Sequence, residues 1–381
     1  MKFEPVEVSE RDDELRQEAR SWIAATLPTG SFRPGQGLHG DIHSPEFSRK
    51  LAERGWVGMS IDPQYGGGGR SPLERFIVVE ELLRVGAPIG AHAVAERQTV
   101  PMLMLHGTQE QRDKFLPAIR AGEAYFSVGM SEPNAGSDLA AVRTKATRVE
   151  GGWALSGTKI WTSGAHQRPY CIVFCRTEPP SEDRHAGFSQ LLVDLRGPGI
   201  TLSPIHFMDG SHQFNEVVFD NAFVPDSMVL GQIGNGWNQV MQELSLERAG
   251  PERILSTWPV LEAFLAGRGT DDDGLDEVLG RIVARLWIIR QMSLSLTQAF
   301  AEGSSLRGEG AIVKDLGTNF EQEVVSSLLA LIDEVPELDS PERWETVFAE
   351  ALLMTPSTTI RGGTVEVLRS IVARAARDDD S

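Results

Sequence analysis

The order in which residue texture changes along the chain limits its fold more than any other feature. Residues 12–124 place apolar side chains at one-face helical spacing, as in Leu15, Ala19, Trp22 and Ile23 and again in Phe76, Val79, Leu82 and Leu83. From 126 to 230 the pattern becomes short alternating or β-branched runs such as Cys171-Ile172-Val173-Phe174, Leu191-Leu192-Val193 and Glu216-Val217-Val218-Phe219. Gly, Pro, Asn and Asp punctuate these runs, and from Gly236 onward the helical texture returns. Helices, then strands, then helices exclude an alternating βαβ doubly wound fold. The expected fold class is therefore α+β, mainly α. It has an N-terminal helical domain over 1–125, a central β-domain over 126–232 and a C-terminal helical domain over 233–381. Polar stretches at 269–273, 303–310 and 336–341 read as helix connections, and the tail 378–381 reads as a frayed end.

Size and charge narrow the class of partner. The 381 residues allow two or three packed units, and 36 basic against 54 acidic side chains give a net charge of -18. Such a surface repels phosphate backbones, which argues against nucleic acid. Residues 1–15 are charged and lack the apolar core of a signal peptide, and no run reaches the roughly 20 residues a membrane span requires. A cytoplasmic location with no membrane span is the expectation. Cys171 and Cys175 read as buried strand thiols, not as a disulfide framework or a metal site. His92, His106 and His166 are scattered and Asp271-Asp272-Asp273 lacks calcium-loop spacing, so no metal is expected.

Two segments invite a chemical reading. The stretch Gly66 to Gly69 follows no strand and precedes no Gly-Lys-Ser/Thr, so it reads as a turn. The stretch Gly129-Met130-Ser131-Glu132-Pro133-Asn134-Ala135-Gly136-Ser137-Asp138 leaves backbone amides and two hydroxyls free for an anion or a planar polar ring. It is followed by Gly157-Thr158-Lys159-Ile160-Trp161-Thr162-Ser163-Gly164-Ala165, which sets an indole and two hydroxyls at a strand end. Asn215-Glu216-Val217-Val218-Phe219-Asp220, Val224-Pro225, Leu230-Gly231 and Gly236-Trp237 come next.

With these motifs in order, the chain resembles the flavin-dependent acyl-CoA dehydrogenase family along nearly its whole length. Gly55-Trp56-Val57-Gly58, Tyr65-Gly66-Gly67, Glu80-Glu81-Leu82, Leu105-His106-Gly107-Thr108-Gln109-Glu110, Leu116-Pro117, Gly122-Glu123 and Arg361-Gly362-Gly363-Thr364-Val365-Glu366-Val367 belong to the same set. The resemblance implies an acyl-CoA dehydrogenase-like fold whose last domain is a four-helix bundle, with FAD between the β-domain and the bundle. It implies that Met130 and Ser131 meet the polar edge of the flavin ring. Trp161 would flank the ring, and Thr162 or Ser163 would reach its central nitrogen region. Ser137 would lie near the pyrophosphate and the pantetheine of CoA, and Thr364 and Glu366 would approach from the C-terminal side.

Removing a proton α to a thioester while hydride leaves the β-carbon needs a carboxylate and fixed donors for the thioester oxygen. Many family members carry the base as a glutamate before the terminal Gly-Thr, where this chain has Gly362. A branch that includes isovaleryl and some long-chain types takes it from an earlier helix, and Glu247 in Leu244-Ser245-Leu246-Glu247-Arg248 matches that position. The resemblance thus implies Glu247 as base, Gly362 offering its backbone N–H, and Arg248 near the acyl-CoA. An ordinary helix carboxylate paired with Arg248 or Arg253 is the structural alternative.

The chain also departs from the family. The Arg-x-x-Phe-Gly and Gln-x-x-Gly-Gly elements that hold the adenine end of the flavin across subunits are absent. Gly267-Arg268-Gly269-Thr270 and residues 331–350 stand in their places, and no Gly-Gly pair occurs between Arg248 and Arg361. This resembles subunits of actinobacterial heteromeric dehydrogenases acting on steroid side-chain thioesters. The expected partners are an acyl-CoA, an electron-transferring flavoprotein, and either identical copies or a paralogous subunit in a tetramer. A partner subunit with an incomplete flavin site, and a relative tailoring another carrier-bound acyl group, are the other readings.

Overall fold

The structure, a computed structural model, describes residues 2–27, 42–248, 250–268, 273–304, 307–333, 336–337, 340 and 343–378. Residues 269–272, parts of the two later connections and residues 379–381 of the tail lie outside the described residues. Helices α1 (Glu10–Thr26), α2 (Pro45–Glu53), α3 (Pro72–Arg84), α4 (Val100–His106) and α5 (Gln109–Arg120) come first. Eight strands follow: β1 (Phe126–Gly129), β2 (Lys145–Val149), β3 (Gly152–Ser163), β4 (Tyr170–Arg176), β5 (Phe188–Asp194), β6 (Ile200–His206), β7 (His212–Pro225) and β8 (Val229–Leu230). The chain ends in α6 (Gly236–Glu247), α7 (Trp258–Arg268), α8 (Asp273–Ala301), α9 (Arg307–Leu329), α10 (Arg343–Met354) and α11 (Val365–Asp378). The helix–strand–helix order read from the sequence is the order observed.

Local chemistry explains where the early helices begin. Ser9 with Asp12, Ser71 with Glu74 and Thr108 with Gln111 each form a reciprocal capping box, and Pro72 opens α3 at its first turn. Each such cap contributes about 1 kcal/mol.

By packing, the chain forms two compact units. One comprises Met1–Ile42, Arg70–Ile89 and Ser245–Ser381, and the other His43–Gly69 and Gly90–Leu244. The second unit is built on one sheet in the order β6-β7-β3-β2-β4-β5-β8, with β1 pairing β4 in parallel. Phe174 on β4 stacks on Phe188 of β5 at 4.7 Å and packs with Ala135, Val142 and Val240. Cys171 and Cys175 are free thiols buried in β4, and burial pushes both up to about 12, which keeps them inert at neutral pH. The glycine stretch is a turn. Gly66 has φ +79, and a β-carbon on Gly67 would stand 2.1 Å from the Ile61 carbonyl oxygen.

In the first unit α1 and α3 group with the C-terminal helices, and charge fixes how they do so. Glu80 and Glu81 are buried on α3. Arg16 bonds both at 2.7 and 2.6 Å, Arg20 reaches Glu81 at 2.8 Å, and Arg290 of α8 pairs with Glu80. Burial alone would raise the Glu81 carboxyl, but Arg20 and Arg16 hold it below the ordinary range. Removing one partner of such a buried pair costs about 3–5 kcal/mol.

Candidate active site

The sequence-derived residues fall into two groups, one in each unit. In the sheet unit, Trp161 lies near the end of β3, where the register with β7 slips between Lys159 and Thr162. The slip is a bulge, and it leaves Trp161 at φ +59 and 54% exposed. The ring's packing is limited to an edge contact with Phe214 at 5.8 Å, and such backbone strain persists where the surroundings impose it.

Those surroundings are specific. Buried Asn215, from the Asn-Glu-Val motif, donates to the Thr162 carbonyl at 3.2 Å and to His166 Nδ1 at 3.1 Å. Ser127 donates to the Ser163 carbonyl at 2.8 Å, and Arg168 reaches the same oxygen at 3.1 Å. The two hydroxyls then separate. Thr162 is fully buried and its Oγ1 has no hydrogen-bond partner, whereas Ser163 is half-buried.

The loop at 129–138 is pinned from beneath by Lys159. This fully buried ammonium donates to the Met130 carbonyl at 2.8 Å and to Glu132 Oε1 at 3.0 Å. Glu132 in turn accepts the backbone N–H groups of Arg143 and Thr144 at 2.7 and 2.8 Å. Burial would raise Glu132, but Lys159 and these donors hold it low. Met130 and Ser131 are thereby fixed at half-buried positions, with Ser137 exposed further along the loop.

In the helical unit, Glu247 ends α6 and is 2% exposed. Its Oε1 pairs with Arg253 Nη2, so the ion-pair alternative is realised with Arg253. The carboxylate also meets the C-terminal turn: Oε2 lies 3.2 Å from where a β-carbon would stand on Gly362. Gly362 has φ +64 and Gly363 φ +97, a turn that disfavours side chains. Arg248 Nη2 lies 3.4 Å from the β-carbon point of Gly363. The structure therefore brings Glu247, Arg248 and Gly362 together. Thr364 accepts from the Val367 N–H at 3.4 Å and starts α11, with Glu366 in its first turn. The Gly267–Thr270 substitute element lies at and beyond the end of α7, and Gly269 and Thr270 are outside the described residues.

Sequence reasoning named Arg248, Arg253 and Arg361 but missed Lys314 and Glu321, which gather with them near this turn. Lys314 on α9 is fully buried and donates to the Gly363 carbonyl at 2.8 Å. Burial, then Arg253, Arg361 and Arg248, push its pKa down to about 6. Glu321, about two turns further along α9, accepts the Ser256 N–H at 3.2 Å and is raised by burial. These contacts span 49 and 65 residues, and no local spacing announces them. On α6 itself, Glu243 is fully buried, accepts from Gln190 at 2.8 Å, and is pushed up to about 7 by desolvation.

Comparison with known proteins places these features in context. Residues 9–123 match the family description acyl-CoA dehydrogenase, N-terminal domain, and residues 127–222 match acyl-CoA dehydrogenase, middle domain. The acyl-CoA dehydrogenase IpdE1 of Mycobacterium tuberculosis is 33% identical, the match covering 95% of this chain and 96% of the relative. The solved Tcur3481-Tcur3483 steroid ACAD superposes with a TM-score of 0.86 at 27% identity, covering 98% of this chain and 99% of that one. A chain of the ChsE4-ChsE5 complex from Mycobacterium tuberculosis gives 0.83 at 26% identity, covering 98% of each.

Proposed function

The chain belongs to the acyl-CoA dehydrogenase family, and from that premise we propose that it converts an acyl-CoA thioester to the trans-2-enoyl thioester with Glu247 as α-proton base. The observation that carries this is the meeting of Glu247 with Gly362. One position supplies the carboxylate, and the other, lacking a side chain, leaves room for it.

The residue roles follow from the chemistry required. Glu247 takes the α-proton once the acyl group displaces it from Arg253. The Gly362 N–H donates to the thioester oxygen, which gains charge as the C–H bond breaks. The exposed Trp161 indole, the half-buried Ser163 and the buried but unpartnered Thr162 hydroxyl suit a planar ring with polar edges, which fits FAD. Met130, Ser131, Trp161, Thr162 and Ser163 would hold the ring, with Ser137, Thr364 and Glu366 on its other contacts. Bound FAD supplies the acceptor for the β-hydride. The 1–125, 126–232 and 233–381 division is kept as the family-type domain arrangement.

The steroid ACAD neighbour supports a bulky, branched or steroid-derived acyl chain, and the two-component complexes support a paralogous subunit; an electron-transferring flavoprotein as electron acceptor belongs to the same proposal. The missing Gly-Gly element favours a second reading, in which this chain is the partner that lacks part of the flavin site. The test is purification alone and with its genomic paralogue, followed by the flavin-to-protein ratio and anaerobic reduction by a panel of acyl-CoA thioesters. Flavin reduced by a branched or steroid-derived thioester supports dehydrogenation. Flavin present yet reduced by none, with either preparation, contradicts it.

A further inference from the structure

We propose that Arg248 supplies the positive charge that receives the enolate oxygen when the thioester is deprotonated. The proposal rests on reading the Glu247–Gly362 pair as the thioester-activating site.

Arg248 differs from every cation around it. Like Arg253 it is 5% exposed with no hydrogen-bond partner at Nε, but no carboxylate among the described residues pairs with it. Arg253 pairs with Glu247, Lys314 is spent on the Gly363 carbonyl, and Glu321 faces Arg361 and Arg253. Burial alone acts on Arg248, and its pKa falls to about 10. The side chain passes α9 at Gly310, with Cβ 3.7 Å from that glycine's β-carbon point, and ends at Gly363.

A guanidinium withdrawn from water without a counter-charge is costly, and a fold that keeps one in a ligand site has it ready for an arriving anion. The thioester carbonyl is neutral on entry. As the α C–H bond breaks, the proton passes to the Glu247 carboxylate and the C–H electron pair forms the C=C bond. The carbonyl π pair moves onto oxygen, and a full negative charge appears there. A charge that answers only this state binds the transition state in preference to the substrate. A carboxylate carried on the acyl chain is the other source of an anionic oxygen.

Acetoacetyl-CoA separates the two, because it loses an α-proton without any hydride transfer. Its enolate absorbance would be titrated against pH on the flavin-loaded protein, with its paralogue where loading requires one. Wild type, Arg248→Gln and Arg248→Lys would be compared, and the flavin spectrum reports that each variant is folded. The expected result is a rise of at least about one unit in the bound thioester's apparent pKa in Arg248→Gln, roughly tenfold less enolate at fixed pH. Lysine should recover part of it, and affinity for a saturated acyl-CoA should change little. An unchanged bound pKa in both variants overturns the proposal. So does intact enolate formation with selective loss of glutaryl-CoA binding, which would assign Arg248 to a substrate carboxylate. Wild-type protein that binds acetoacetyl-CoA without ionising it contradicts the site reading itself; in the other failures wild type ionises the probe normally.

Discussion

Glu247 Oε2 stands 3.2 Å from the point a β-carbon would occupy on Gly362, although 115 residues separate the two in sequence, 362 less 247. The same point lies 3.2 Å from Lys314 Cε and 3.3 Å from Arg253 Nη2. Gly362→Ala is therefore expected to destabilise the protein by about 1–2 kcal/mol from the left-handed backbone alone, and to disturb Glu247 as well. Because Glu247 is one of the three groups crowding that point, adding Glu247→Gly should relieve part of the cost. A double-mutant cycle by urea unfolding should give a coupling of about 0.5–3 kcal/mol; strict additivity would mean that the two positions do not touch.

Lys159 supports the loop that carries Met130 and Ser131. Lys159→Met leaves Glu132 buried without its cation and should cost about 3–5 kcal/mol. Flavin content, read from the visible spectrum of the folded fraction, should fall with it. Full flavin occupancy at wild-type stability would show that the loop needs no such anchor.

Trp161 presents the opposite balance, since a strained backbone offsets the little its half-exposed ring gains from an edge contact with Phe214. Trp161→Gly should leave thermal stability unchanged or raise it by about 1 kcal/mol, while weakening flavin retention on dialysis. Loss of stability with unchanged flavin retention would reverse the assignment.

Lys314 sets a pH dependence with a definite sign. Its pKa falls from 10.5 to about 6 on folding. Between those values the unfolded chain holds a proton that the folded chain does not. Stability should therefore rise with pH across that window, by up to about 1.4 kcal/mol per pH unit. Below about pH 6 this contribution is flat, since both states are protonated. Lys314→Met should remove that slope, and urea unfolding of both proteins at pH 6.5, 7.5 and 8.5 would show it. Parallel pH profiles would place the lysine's charge in solvent.

Local signals made much of this legible. The helix–strand–helix order followed from periodicity, the buried Cys171 and Cys175 from an apolar run, and the Gly66–Gly69 turn from its flanks. Glu247 and Gly362 were linked by resemblance, as a base present in one place and missing from another. Arg253 and Arg361 were named in the sequence, but Lys314 escaped because it lies on a separate element, far from both, and alone reads as an ordinary surface charge. The strain at Trp161 escaped because it arises from a register slip against β7, which no property of β3 alone encodes. The grouping of α1 and α3 with the C-terminal helices depends on pairs such as Arg290 with Glu80, 210 residues apart.

The most direct test of the central claim is anaerobic reduction of the flavin-loaded protein by its best acyl-CoA thioester, wild type against Glu247→Gln. Removing the base should slow bleaching of the flavin band by about 10²–10⁴-fold, with the oxidised spectrum and flavin stoichiometry of the variant unchanged. A glutamine variant that bleaches at the wild-type rate would contradict the account and place the base elsewhere.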